Sequence, residues 1–224
     1  MAISKILPLQ DTLKEAWNKT FGAKASIWAA IGITIVIVAI LHALKIFPLI
    51  GILFVILGKI AGQLLRAGIV FIGILRARSA PITYKKMFRT IELYLALKII
   101  GLFILEFFIF LPLAIIIAAF NIIPALNGFI GLVVSILCFI AIVVLTIRLS
   151  MATGLVVDKQ SNPLEAIKQS FIATRNHFWE LLGIYVVFGI IFLLSIIPIG
   201  IGLIWTIPMS FVLYGTVYKK LVGG

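Results

Sequence analysis

The chain has 224 residues, 63% of them hydrophobic and only 12% charged, with a mean hydropathy of +1.29. Soluble domains are about half apolar and about a quarter charged, so soluble enzymes, nucleic-acid-binding modules, disordered tails and disulfide scaffolds are excluded. The formal charge of +12 then has to be read from where the cations sit relative to a bilayer, with no nucleic-acid partner implied.

A bilayer core about 30 Å thick takes roughly 20 residues of apolar helix, and six stretches qualify. The first, near 26–46, follows an arm that contains Asp11 and Glu15. Ala39 and Ala43 make no convincing cleavage site, so this run is expected to stay as an anchor. The second, near 49–75, opens after Pro48. The third, near 93–118, carries Pro112, which leaves the Phe108 carbonyl without its helical partner and predicts a kink. The fourth lies near 127–152 and contains the lone cysteine, Cys138, which gives no redox information there. Helix continued from 127 to Asp158 would reach roughly 48 Å. Either Arg148 faces protein, water or headgroups, or the chain bends at Gly154. The fifth and sixth stretches, near 179–197 and 200–218, meet at Pro198.

Charge alternates along the connections. Lys5, Lys14, Lys19 and Lys24 precede the first span, and Arg76, Arg78, Lys85, Lys86 and Arg89 follow the second. Lys159, Lys168 and Arg175 follow the fourth, and Lys219 and Lys220 follow the sixth. Together these are 14 of the 19 lysines and arginines. The opposite connections hold only Lys45, and the turns at Asn121–Asn127 and Pro198 hold none. The positive-inside rule therefore puts both termini in the cytoplasm. Trp28 and Trp179 are expected at the cytoplasmic ends of spans one and five.

A threefold internal similarity runs through the basic segments. Pro8-Leu9-Gln10 leads to Lys14-Glu15-Ala16-Trp17 and Thr20. Pro163-Leu164-Glu165 leads to Lys168-Gln169-Ser170-Phe171 and Thr174. Pro81-Ile82-Thr83 leads more faintly to Lys86-Met87-Phe88 and Thr90. A glycine recurs early in each following span: Gly32, Gly101 and Gly183. The spacing of Leu9, Leu13, Ala16, Trp17 and Thr20 predicts an amphipathic helix. Leu164, Ile167, Phe171 and Thr174 repeat that pattern, with Asn162, Pro163 and Glu165 as a capping-box start. Basic amphipathic helices of this kind lie in the headgroup plane. The expected fold is an all-α integral membrane protein with six transmembrane helices and three cytoplasmic interfacial helices. It forms a single polytopic domain over 1–224, in parallel repeat units of about 1–76, 77–155 and 156–224.

The run Val156-Val157-Asp158-Lys159, with Pro163 to Phe171, Thr174 and Phe178-Trp179, resembles the YciC-type group of bacterial inner-membrane proteins. It is also similar to the membrane domain found beside some glycerophosphodiester phosphodiesterases. In those proteins an aspartate ends the fourth span, and a basic residue and a serine recur on the next surface helix. The residue-level likeness covers about 156–183, and the hydropathy plan follows along most of the chain. The resemblance implies six spans in a bacterial inner membrane and no particular reaction, because the group has no agreed activity. The phosphodiesterase belongs to a separate soluble domain.

Charges inside spans are costly and carry functional hypotheses. Lys59, Gln63 and Arg66 share one face of span two, beside Gly58 and Gly62, which thin the adjoining surface. Glu106 is the acid deep in span three. One reading makes Lys59, Gln63, Arg66 and Glu106 the polar lining of a pathway or headgroup pocket. The other pairs Lys59 with Glu106 at matching depth while Arg66 snorkels inward. Thr146, Ser150 and Thr153 form a polar stripe near Arg148, and Arg148, Asp158, Lys168 and Ser170 form a candidate cytoplasmic-face motif. His42 and His177 fall on opposite sides, so no metal site is expected. No nucleophile–base pair or phosphate loop appears, so neither catalysis nor a cofactor is expected. The expected partners are membrane lipids, with anionic headgroups at the cytoplasmic face, and a homo- or hetero-oligomer stays open. The function is then transport or lipid handling through the polar face between repeats. The alternative is a non-transporting scaffold or accessory subunit that binds anionic lipid or a protein partner.

Overall fold

The long apolar runs fold here as helices, with Pro112 and Pro208 carried inside two of them. The structure, a computed structural model, describes residues 7–46, 51–122 and 128–223. Among the described residues it is all helical. The helices are α1 (Leu9–Thr20), α2 (Lys24–Ala43), α3 (Gly51–Ala77), α4 (Leu93–Ile122), α5 (Phe129–Leu149), α6 (Ala152–Lys159), α7 (Pro163–Arg175), α8 (Phe178–Leu194) and α9 (Leu203–Leu221). Short 3-10 segments cover Leu44–Ile46 and Tyr84–Ile91. Pro48 and the turn at 123–127 lie outside the described residues.

Four helical stretches are long and apolar enough to cross a membrane: Lys24–Ala43, Gly51–Ala77, Leu93–Phe120 and Phe129–Lys159. A fifth is reached if α7 and α8, which meet at 92°, are counted as one bent element. The fold is therefore that of a candidate multi-pass membrane protein. Large apolar side chains such as Ile35, Ile52, Phe107, Phe139 and Ile190 are exposed along these helices, as lipid-facing positions require.

The core gathers at one end. Leu65 and Ala67 to Ile74 of α3 are buried nearly all round, with Ile27 and Ala30 of α2, Leu95, Ile99 and Leu102 of α4, and Met209 to Tyr218 of α9 against them. Small residues permit the tightest crossings. A Cβ added to Gly73 would stand 2.2 Å from the Phe211 carbonyl oxygen, and one added to Gly215 would stand 2.2 Å from that of Gly73. The backbones of α3 and α9 thus touch.

The last two helices differ from the expected spans. α8 has 17 residues, about 26 Å of helix, and α9 begins at Leu203. The Trp28 indole Nε1 donates to the Ile204 carbonyl at 3.0 Å, and Lys24 Nζ stands 3.6 Å over the Trp205 ring. The start of α9 is therefore beside the first turn of α2, although Trp28 and Ile204 were expected at opposite surfaces.

The surface segments also depart in detail. Tyr84–Ile91 is 3-10 and not an amphipathic α-helix, because the Met87 backbone is seated on Gly68, where an added Cβ would come within 2.3 Å of its carbonyl oxygen. α7 starts at Pro163 as expected, but Asn162 makes no side-chain cap, and Glu165 instead accepts from Gln169 Nε2 at 3.0 Å. Pro112 is carried inside a continuous α4. The helix after Phe129 is interrupted at Ser150–Met151 and not at Gly154. Ser170 of α7 causes the interruption by inserting into the backbone ladder. Its Oγ donates to the Arg148 carbonyl at 2.6 Å and accepts the Met151 N–H at 3.1 Å, which is an established origin of helix bends.

Candidate functional site

A cavity of about 540 Å³ lies between α3, α4, α5, α6, α8 and α9. On α3, Gln63, Arg66, Ala67 and Val70 line it, and on α4 Ile99, Leu102, Phe103, Glu106 and Phe110 do so. Both sets have the three-and-four spacing of a single helical face. The far wall brings Thr146, Ser150 and Thr153 from either side of the break that Ser170 holds open, with Tyr185, Ser210 and Tyr214 beyond them. Phe188 and Phe211 complete an apolar flank.

Three of the four expected intramembrane residues meet here. Gln63 and Glu106 are half-buried and Arg66 is exposed, and all three line the cavity. Lys59 does not join them. It is exposed two turns away along α3, so the expected Lys59–Glu106 pair is not formed, because helix packing brings Arg66 to the level of Glu106. The ion pairs among the described residues are Lys19–Glu15, Lys220–Glu15 and Arg78–Asp158, and His177 Nδ1 stands 2.5 Å from a Glu180 carboxylate oxygen. Neither Arg66 nor Glu106 belongs to one.

The candidate cytoplasmic-face residues separate into different roles. Arg148 packs its guanidinium 5.5 Å from the Phe178 ring centroid, and its carbonyl belongs to Ser170. It makes no pair with Asp158. Asp158 takes both terminal nitrogens of Arg78, at 2.6 and 2.8 Å, and accepts from the Tyr218 hydroxyl at 3.1 Å. Lys168 is exposed.

A polar chain links this cluster to the cavity. Tyr218 stacks on Tyr214, with centroids 6.4 Å apart and planes 10° from parallel, and the Tyr214 hydroxyl accepts the Gly154 N–H at 2.8 Å. Gly154 admits both rings, since an added Cβ would lie 2.6 Å from Tyr218 and 2.8 Å from the Tyr214 hydroxyl. Sequence reasoning missed Tyr185, Ser210 and Tyr214. Their one available signal was a hydroxyl within an apolar run, and such hydroxyls often bond their own helix, as Ser210 does to the Ile207 carbonyl at 2.7 Å.

At the far end of the basic cluster, Glu15 pairs with Lys19 at 2.9 Å and with Lys220 at 3.2 Å. Burial works to raise the Glu15 pKa, but the two ammonium groups outweigh it and hold the carboxyl below its ordinary range. Comparison with protein-family models, with curated proteins and with solved structures finds no match for this chain.

Proposed function

We propose that this chain is a multi-pass protein of a bacterial inner membrane that takes an amphiphilic molecule into the cavity between its hairpins, for transport or lipid handling. The observation that carries this reading is the cavity itself, with Arg66 and Glu106 on mixed apolar and hydroxyl walls. Ionisable groups at such depth are expensive and face pathways or partners. Ligand sites are typically apolar hollows with a few placed polar groups. The bacterial location rests on the resemblance of residues 156–183.

In this reading α2–α3 and α4–α5 cross the bilayer, and α8–α9 is a third hairpin entering from the same side. The basic connections put both termini in the cytoplasm, where they attract anionic headgroups. Cyclic packing supports a threefold repeat. The segment 84–91 packs mainly on α3, with α4 and α2 beside it, α7 packs on α4, α5 and α6, and α1 packs on α8 and α9. Each surface segment thus sits on the hairpin of the preceding unit, and the last hairpin returns to the first segment. Gly101 meets Pro163 and Gly183 meets Leu9 at these seams. Thr20, Thr90 and Thr174 are all buried and each donates back to a carbonyl of its own segment.

Native mass spectrometry of the purified protein tests the cavity. Wild type is expected to retain lipid, and Thr146→Trp, which fills the cavity from α5, to retain about tenfold less with its melting temperature unchanged. A lipid-free wild type, or equal retention by the variant, overturns the reading.

A further inference from the structure

We infer that the cavity ligand is a zwitterion, with an anionic phosphate-type group held by Arg66 and an ammonium held by Glu106. This rests on the cavity reading and names the chemistry it selects. Arg66 on α3 and Glu106 on α4 line one hollow. Oppositely charged side chains sharing a low-dielectric site ordinarily close into an ion pair, since each is costly alone. Here the two line the same hollow, Glu106 half-buried and Arg66 more exposed, and neither enters an ion pair among the described residues. A molecule carrying both charges completes both partners at once, whereas a purely anionic one satisfies Arg66 and leaves Glu106 facing a second negative group.

The rest of the wall fits the same chemistry. Guanidinium groups grip phosphate and carboxylate oxygens through paired N–H donors, and Gln63 stands one turn from Arg66 to add an amide. Thr146, Thr153 and Tyr185 supply hydroxyls, while Phe103 and Phe110 flank Glu106 on its own helix. An ammonium between a carboxylate and aromatic faces is favourably held. The zwitterion can arrive as a phospholipid headgroup or as a water-soluble phosphoethanolamine-type molecule.

The test places the purified protein in nanodiscs with equal phosphatidylethanolamine and phosphatidylglycerol of matched acyl chains, and counts retained lipids by native mass spectrometry. Wild type is expected to favour the ethanolamine lipid about tenfold, the effect of one charge-assisted contact. Glu106→Gln is expected to bring that ratio close to one, and Arg66→Gln to lower retention of both lipids. Displacement by soluble glycerophosphoethanolamine assigns the water-soluble source, and resistance to it assigns the lipid. No preference in wild type overturns the proposal without any variant having to fold. A preference that survives Glu106→Gln overturns it as well. In either case loss of lipid in Thr146→Trp still upholds the cavity, whereas retention there overturns the cavity reading instead.

Discussion

Arg78 and Asp158 tie the C-terminal ends of α3 and α6 with a two-point pair at 2.6 and 2.8 Å, and Tyr218 of α9 adds its hydroxyl to the same carboxylate. Three helices from distant parts of the sequence are thereby tied at one carboxyl group. Asp158→Asn is expected to lower stability by about 1–3 kcal/mol, because it removes a charge-assisted bond and leaves the guanidinium unpaired. Tyr218→Phe removes one hydrogen bond, worth about 1 kcal/mol. Thermal melts in detergent check both, and the double variant should lose less than the two singles combined, as groups in one network do.

The crossing of α3 and α9 gives a sharper contrast. Gly73→Ala drives a methyl group to 2.2 Å from a backbone oxygen, and neither helix can yield without moving the core. The expected loss exceeds about 3 kcal/mol, at the upper end for overpacking. Gly32→Ala meets nothing within 4 Å and is expected to be neutral or to stabilise by about 0.5–1 kcal/mol through helix propensity. The two melting temperatures should move in opposite directions or differ by many degrees.

Topology is open to labelling. With a membrane-impermeant maleimide on intact cells, a cysteine replacing Lys45 is expected to react from outside, and one replacing Lys85 only after permeabilisation. Ile199, 97% exposed between α8 and α9, discriminates the depth of the third hairpin. Because the start of α9 lies beside Trp28, Ile199→Cys is expected to resist the outside reagent. Rapid labelling there would show a hairpin that reaches the far surface.

Acid should loosen the seat of α1. Glu15 has a folded pKa below the ordinary 4.5, so its contribution is fully present above that value. It is lost as pH falls through the lowered folded value. The pairs are partly exposed and worth less than about 1 kcal/mol, so the effect is small but signed. The melting-temperature difference between wild type and Glu15→Gln is expected to be constant near neutrality and to vanish in acid below the carboxylate range.

How far the molecule was legible in its sequence depended on whether a signal was local. Apolar length located the helices, because in lipid the backbone has few alternatives. Arg66, Gln63 and Glu106 stood out because charges and amides are rare in such runs, and they meet in one cavity. Lys59 stood out equally but does not line the cavity, since the face a residue presents depends on packing that spacing does not reveal. The Ser170 wedge, the Arg78–Asp158 pair and the Trp28–Ile204 contact join residues 19 to 176 positions apart. Such pairings leave no periodic trace in a single chain. The 3-10 conformation of Tyr84–Ile91 likewise comes from its seat on Gly68, and its residue types still spell a basic amphipathic segment.

The order in which packed partners are made sets a timetable for folding. The segment 84–91 and α7 emerge from the ribosome after the hairpins that receive them, so each can dock as it is made. α1 is made first, yet its seat on α8 and α9 is made last. Its buried face of Thr12, Ala16 and Thr20 must wait for the whole chain, and Lys220 reaching Thr12 at 3.0 Å marks the closing step. Translation order thus makes the seam of α1 with α8 and α9 the last to form.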